Sequence, residues 1–306
     1  MEKLILLDEY PVKNVLPYLL LDKTTGNNII FATNAYKAYS IEEKTEITVT
    51  LLDKISNLIQ PRVLKSEEEK AKRTKNKAEV FTPAWVCNKM NNHCDEEWFH
   101  RKNVFNVEQL QSWVTNEEPI AFENKGDWKK YVSSKRLEIT CGEGPYLVSR
   151  YDTSTGRKIS VKDRIGILDR KLRVISENTN SLKNWKHWAY IAYRSVYGYE
   201  FQGDNLLIAR INLLVTFVDH MVEKFKRRPT EKELIFLTNI IVWNLWQMDG
   251  LTGGVPYYKS LNELLMEKFF EYEHFSSNSE SMQIDCRLYD WEKKKEITYN
   301  SIKDER

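Results

Sequence analysis

Apolar positions along this chain recur with two different periods, and the periods separate the stretches that should be helices from those that should be strands. From Val49 onward, Leu51, Leu52, Ile55, Leu58 and Ile59 keep helical spacing and predict an amphipathic helix that ends before Pro61. Ile165, Leu168, Leu172 and Ile175 predict a second helix, and residues 204–217 a third. Residues 196–200, Val-Tyr-Gly-Tyr-Glu, read as a short strand whose last residue is an acid. Residues 232–246 form a strongly apolar run that leads into Gln247, Met248, Asp249 and Gly250; residues 261–270 should be helical and residues 296–299 a short strand. Near the start, an apolar segment at residues 15–21 is followed by a turn-rich piece at 22–28 and a second apolar segment at 29–33.

Residues 65–77 interrupt this pattern with a charged segment that has almost nothing to bury. It reads as a solvated helix or linker with i,i+4 ion pairs, and its basic end at Lys72, Arg73, Lys75 and Lys77 could instead meet a phosphate backbone. We place a boundary there, with an N-terminal module and charged linker at 1–75, either α/β or mainly helical, and a larger domain at 76–306.

The stretch that organises the larger domain is residues 137–147. Leu137, Ile139 and Leu147 supply apolar flanks, while Gly142 and Gly144 permit positive φ and let a ligand approach the backbone. It is expected to be the end of a buried strand turning sharply into a helix, the arrangement by which doubly wound α/β domains build a ligand crevice at the carboxyl edge of a sheet.

Three motifs in order then resemble the S-adenosylmethionine-binding half of an N6-adenine DNA methyltransferase, the M subunit of restriction-modification systems. They are Phe81-Thr82-Pro83, the turn from Glu138 through Cys141, Gly142 and Gly144 to Leu147, and Gly198-Tyr199-Glu200 leading to Ala209, Asn212 and Leu213. The resemblance implies a Rossmann-like class I methyltransferase core, with strands ending near Ile139, Tyr199 and Met248 and a helical insertion near 84–135. It implies S-adenosylmethionine as cofactor: Phe81, Thr82 and Pro83 near its methionine end, Glu138, Cys141, Gly142 and Gly144 in the turn beneath it, Glu200 on the ribose hydroxyls and Asp249 on the adenine amino group. The turn departs from the family pattern at Glu138, Ile139 and Glu143, where Asp, Pro and Ser or Thr are usual. Glu143 is expected to set an acid beside the ligand, which suits a sulfonium cation and opposes a phosphate.

Composition narrows the setting. With 306 residues, 42% of them apolar and 12% aromatic, the chain can bury a large core. Forty-six basic against 44 acidic residues give a net charge of +2, so any nucleic-acid surface must be local or belong to a partner. Four scattered cysteines, Cys87, Cys94, Cys141 and Cys286, do not make a disulfide framework, and no run of about 18 unbroken apolar residues occurs. A cytoplasmic protein without a membrane segment is the expectation. Cys87, His93, Cys94 and His100 lack the spacing of structural zinc sites, and no metal is expected; Asp22 with Glu42, Glu43 and Lys44 reads as a turn and a solvated helix start. Asp169 stands about 25 residues past Gly144, where an acid often meets ribose, but inside a helix pattern. Trp98, Phe99, Phe105, Trp113, Phe122, Trp128 and Tyr131 read as insertion core, with base stacking as the sharper alternative.

The Asn-Pro-Pro-Tyr signature that holds the target amino group in this family is missing, for the eight prolines are all isolated. Pro256-Tyr257-Tyr258 is the nearest aromatic substitute, and it lacks the amide. The resemblance therefore implies a subunit that acts on DNA with a second polypeptide carrying the catalytic loop and target-recognition domain. The other reading is a non-catalytic methyltransferase-like module that binds S-adenosylmethionine, DNA or a protein.

Overall fold

In the computed structural model, residues 3–77, 82–257 and 284–303 are described. The expected helix at 261–270, Phe81 and Tyr258 lie outside them. The helices are α1 (Val12–Leu19), α2 (Val49–Ile55), α3 (Glu67–Lys77), α4 (Ala84–Phe99), α5 (Asp127–Ser133), α6 (Ile167–Asn178), α7 (Leu182–Arg194), α8 (Gly203–Phe225), α9 (Glu231–Asn244) and a short α10 (Tyr299–Lys303). The strands are β1 (Asn106–Gln109), β2 (Ser112–Thr115), β3 (Arg136–Glu138), β4 (Val196–Glu200), β5 (Leu245–Gln247), β6 (Arg287–Asp290) and β7 (Lys295–Thr298). The chain is thus mixed α/β, with three small sheets among the described residues.

The central sheet is parallel, in the order β3-β4-β5, with Glu138 beside Gly198 and Glu200 beside Gln247. Its strands end at Glu138, Glu200 and Gln247, each within a residue of the end read from the sequence. Because all three run the same way, their carboxyl ends share one edge. Helix α8 is the core element. Leu206, Leu207, Ile208, Ile211, Leu214 and Phe217 are buried along it, since its apolar positions go all the way round rather than down one stripe. Among the described residues it is the one helix long and apolar enough to cross a membrane, and most of it is buried inside the protein. Helix α9 starts from a capping box, with Thr230 accepting from the Glu233 N–H and Glu233 accepting from the Thr230 N–H.

The first 60 residues share this core. Ile5, Leu16, Leu19, Phe31 and Ile47 belong to the same apolar cluster as Leu206, Leu237 and Leu245. Polar contacts fix the docking. The buried Arg210 guanidinium donates to the carbonyls of Leu245, Leu19 and Leu21, and Gln247 both donates to the Ile30 carbonyl at 2.8 Å and accepts from its N–H at 2.9 Å. Gly203 makes the approach possible, because a Cβ there would stand 1.9 Å from the Ile30 carbonyl oxygen.

Three expectations are corrected. Residues 84–135 are not a purely helical insertion, because β1 and β2 form an antiparallel hairpin between α4 and α5. The hairpin turns on Leu110 and Gln111, with Leu110 fully exposed at φ +40°; lacking an Asn-Gly or Asp-Gly pair, the sequence gives no turn signal there. The aromatic residues around it form one cluster: Trp98, Phe99, Phe105, Phe122 and Tyr131 pack edge-on or tilted against one another, with Phe105 stacked on Tyr131 and neighbouring ring centroids 4.6 to 6.3 Å apart.

The charged segment, secondly, does bury something. Helix α3 turns Arg73 inward, where its guanidinium pairs with the fully buried Asp204 at the start of α8 and lies over the Tyr36 ring. Lys65 reaches the same Asp204 oxygen at 3.3 Å, and the Tyr36 hydroxyl donates to it at 2.7 Å. Arg73 is therefore part of an internal ion cluster and not a phosphate contact. Hydropathy misses this because the two cations find their counter-charge about 130 residues away in sequence.

Thirdly, the glycine turn does not run into a helix. Residues 145–147 are turns, and the next α-helix is α6. The Ser149 N–H that would continue a helix donates instead to the Asp169 carboxylate at 2.8 Å.

Candidate functional site

A cavity of about 820 Å³ opens at the carboxyl edge of the central sheet. Its floor is the glycine turn, and every part of that turn is held from outside it. The Cys141 N–H donates to the Tyr199 carbonyl at 2.8 Å, extending the β3-β4 pairing past the strand end. Gly142 and Gly144 take φ of +53° and +77°, and Thr140 one of +46°. From α8, the Asn212 side chain donates to the Glu143 carbonyl at 3.0 Å and to the Tyr151 hydroxyl at 3.1 Å. Gly198 on β4 lies directly under the turn, where a Cβ would come within 3.3 Å of Cys141. Two of the motifs are thus physically one structure: helix α8, which carries Asn212, and the strand carrying Gly198 clamp the glycine turn between them.

Two carboxylates flank this turn. Glu200, 7% exposed at the end of β4, accepts from the Gly142 N–H at 2.9 Å and from the Gln202 N–H at 3.1 Å. Glu138, at the end of β3, accepts from the Leu147 N–H at 3.1 Å and the Tyr146 N–H at 3.4 Å. Burial pushes the Glu138 carboxyl up to about 8; the Tyr146 and Leu147 N–H groups oppose the shift and the nearby Glu200 charge adds to it. The Glu138 carboxyl accordingly keeps its proton near neutrality. Burial, with Glu138 and Glu200 adding to it, also holds the Cys141 thiol well above its usual range, so this cysteine is not a thiolate nucleophile.

Of the residues singled out in the sequence, Thr82, Glu138, Cys141, Gly142 and Glu200 line the cavity. Thr82 is held there because its carbonyl accepts from the Thr153 hydroxyl at 2.8 Å, while Asp152 accepts from the Ala84 N–H at 3.1 Å and so caps α4 behind Pro83. Pro83 and Gly144 stand just behind the lining, and Gly144 packs towards Ala209 of α8. Asp249 lies two residues beyond β5 and is not part of the lining; its carboxylate accepts from the Leu251 N–H at 2.9 Å in a local turn.

Glu143 corrects the expectation of an acid beside the ligand. It sits at the cavity wall, 1% exposed, but its carboxylate accepts from the Arg62 N–H and the Tyr151 hydroxyl, both at 2.7 Å. It therefore joins the N-terminal segment to the turn. Asp169, likewise, is internal, accepting from Ser149 and facing His220 at 3.1 Å. Asp22 caps its own turn through the Thr24 and Thr25 N–H groups, and no cluster of three potential metal ligands occurs among the described residues.

The rest of the lining was not legible beforehand. Asn91, Tyr146, Phe201 and Asn205 also line the cavity. Phe201 follows the strand-end acid immediately, and Tyr257 packs edge-on against its ring at 5.5 Å. The arrangement offers an apolar enclosure with two acids at its floor and a backbone turn without side chains, which suits an elongated ligand bearing positive charge and hydroxyl groups. Comparison of the chain with protein-family models, with curated proteins and with solved structures finds no match.

Proposed function

We propose that this cavity binds S-adenosylmethionine, and that the chain is the cofactor-binding subunit of a DNA adenine-N6 methyltransferase of a restriction-modification or related phage-defence system. The observation that carries the reading is the pair of strand-end acids, Glu138 and Glu200, on either side of the Gly142 turn in one cavity. On this reading β3, β4 and β5 belong to a Rossmann-like core, with its crevice at their carboxyl ends.

The residues present fit that cofactor. On this reading Glu200, at its strand end, would accept from ribose hydroxyls, and Glu138 would face the methionine end beside Thr82. The adjoining apolar wall of Ile167, Leu147 and Phe201 would cover the adenosyl body. Acids in place of cations leave nothing at this turn to attract the phosphates of a nucleotide, and a bound cation would favour the ionised form of Glu138. The cofactor, when bound, supplies a methyl group on an electrophilic sulfonium. What this chain contributes is orientation and exclusion of water: the clamped turn and the two acids fix the donor so that an amino nitrogen can approach in line. An extruded adenine must be held as well, and the 306 residues contain no Asn-Pro-Pro-Tyr. We assign that task to a second polypeptide, which would also read the DNA sequence. The alternative of a non-catalytic binding module is favoured by one observation, the engagement of Asp249 in its own turn.

Equilibrium dialysis with tritiated S-adenosylmethionine tests the reading. Retention of label that excess unlabelled cofactor displaces and excess ATP does not is the expected result. Displacement by ATP, or no retention by folded protein, would reject it.

A further inference from the structure

The cavity does not stop at the glycine turn. It continues as a groove along the outer side of β3, between that strand and α4, lined by Met90, Asn91 and Cys94 on one wall and by Arg136, Leu137 and Ile139 on the other. Strand β3 is the edge of its sheet. Its Arg136 N–H donates to the Ser195 carbonyl next to β4, so the alternation of a parallel ladder turns the Leu137 N–H and C=O the other way, into the groove. No bond to either group is found among the described residues.

The side chains along this edge are apolar and uncovered. Leu137 is 48% exposed, Ile139 64% and Met90 52%. On β4 and β5 the corresponding sheet face is covered by a second apolar cluster, in which Tyr199, Trp246 and Met248 meet Leu288 of β6 and Tyr299 of α10. Among the described residues that covering layer ends one strand short of β3. An apolar strand edge with outward backbone groups is a template for pairing, and soluble proteins seldom leave one open without a use for it.

We propose that the groove between β3 and α4 takes an extended segment of a second polypeptide, which adds a strand to β3. The surface is read from the edge itself and rests on the proposed function only in taking the occupant to be that reading's partner. One feature selects the occupant. At the near end of the groove, the Arg136 guanidinium donates only to the Lys135 carbonyl among the described residues and faces no carboxylate there. The segment therefore carries apolar side chains at alternate positions, which meet Met90, Leu137 and Ile139, and an acidic residue beside Arg136. Its far end would arrive at the glycine turn, where a loop supplied in trans has to stand.

The test uses the full chain without cofactor. A displayed library of short peptides, apolar at alternate positions and random between them, is selected on the wild-type protein and counted against Ile139→Lys and Leu137→Pro. Enriched peptides should contain an acidic residue at a fixed place, bind Ile139→Lys at least about tenfold more weakly, and slow hydrogen exchange at the Leu137 amide of the wild type. Ile139→Lys changes an exposed side chain, and its fold is checked by circular dichroism, so a failure of Leu137→Pro to fold leaves the comparison intact. Peptides that bind both proteins alike, or no enrichment, overturn the proposal. So does a wild-type dimer in sedimentation that Ile139→Lys dissociates, because the occupant would then be a second copy. Cofactor retention is measured separately, so failure here and failure of the proposed function are told apart.

Discussion

Replacing Asp204 by alanine removes the anion at the centre of the internal ion cluster. Its carboxylate is fully buried and receives Lys65 at 3.3 Å, the Tyr36 hydroxyl at 2.7 Å and the Arg73 guanidinium. Burial works against its ionisation, but the charges of Arg73 and Lys65 and the hydrogen bonds from Arg73 and Tyr36 outweigh it and hold the carboxyl well below the usual range. Its contribution is therefore complete above the ordinary carboxylate pKa and is lost only as pH falls through the depressed native value. Without Asp204, Lys65 and Arg73, whose side chains are both only 3% exposed, keep the partly exposed Glu69 at 3.7 and 3.4 Å. Stranding buried charge in this way costs about 3–5 kcal/mol. Urea denaturation followed by circular dichroism should register the loss as a lower midpoint with an unchanged slope. The companion variant, Lys65→Met with Arg73→Met and Asp204→Leu, should recover most of it, because an apolar replacement of the whole cluster leaves no charge behind. A loss below about 1 kcal/mol for Asp204→Ala would refute the reasoning, since that is the size of an exposed pair.

Three further outcomes follow from the structure. Gly203→Ala should destabilise by about 1–3 kcal/mol or more, because its Cβ would meet the Ile30 carbonyl at 1.9 Å and neither backbone can yield; a melting curve matching wild type would contradict this. Glu138, pushed up to about 8 by burial, stays protonated in the folded chain after the unfolded chain has released its proton. Stability should consequently fall as pH rises from about 4.5 to about 8, and Glu138→Gln should flatten that fall; an unchanged slope in urea titrations across this range counts against a buried, proton-holding acid. A bound cation favours the ionised form, so cofactor binding near neutrality should release protons, seen as a calorimetric heat that varies with buffer ionisation enthalpy and does so less in Glu138→Gln.

The parts of the fold that could be read from the sequence are those in which local signals agree with tertiary ones. Residues 196–200 end in an acid and precede a helix-spaced apolar run, and they form β4 followed by α8. Val49 starts α2 because Thr48 caps it, its side chain accepting from the Leu51 N–H. Lost signals have equally concrete causes. Leu110 turns a hairpin without a turn residue; Arg73 and Lys65 are buried by a distant aspartate; Asp169 captures the N–H that a helix after the glycine turn would need. At the site, the strand-end acids were legible because they terminate strands, whereas the direction of Glu143 was not, since its partners Arg62 and Tyr151 come from elsewhere in the chain. Asn212 was visible as part of a motif, but its action, holding the Glu143 carbonyl, belongs to the folded arrangement alone.

The central claim, that the two acids and the glycine turn hold S-adenosylmethionine, is tested most directly by calorimetric titration of the purified chain and of Glu200→Ala. Micromolar-scale binding, about −8 kcal/mol, is expected for the wild type. In the variant a loss of about 1.5–3 kcal/mol is expected, the size of hydrogen bonds to a charged acceptor. No heat from wild-type protein shown to be folded, or equal affinity in Glu200→Ala, would contradict it.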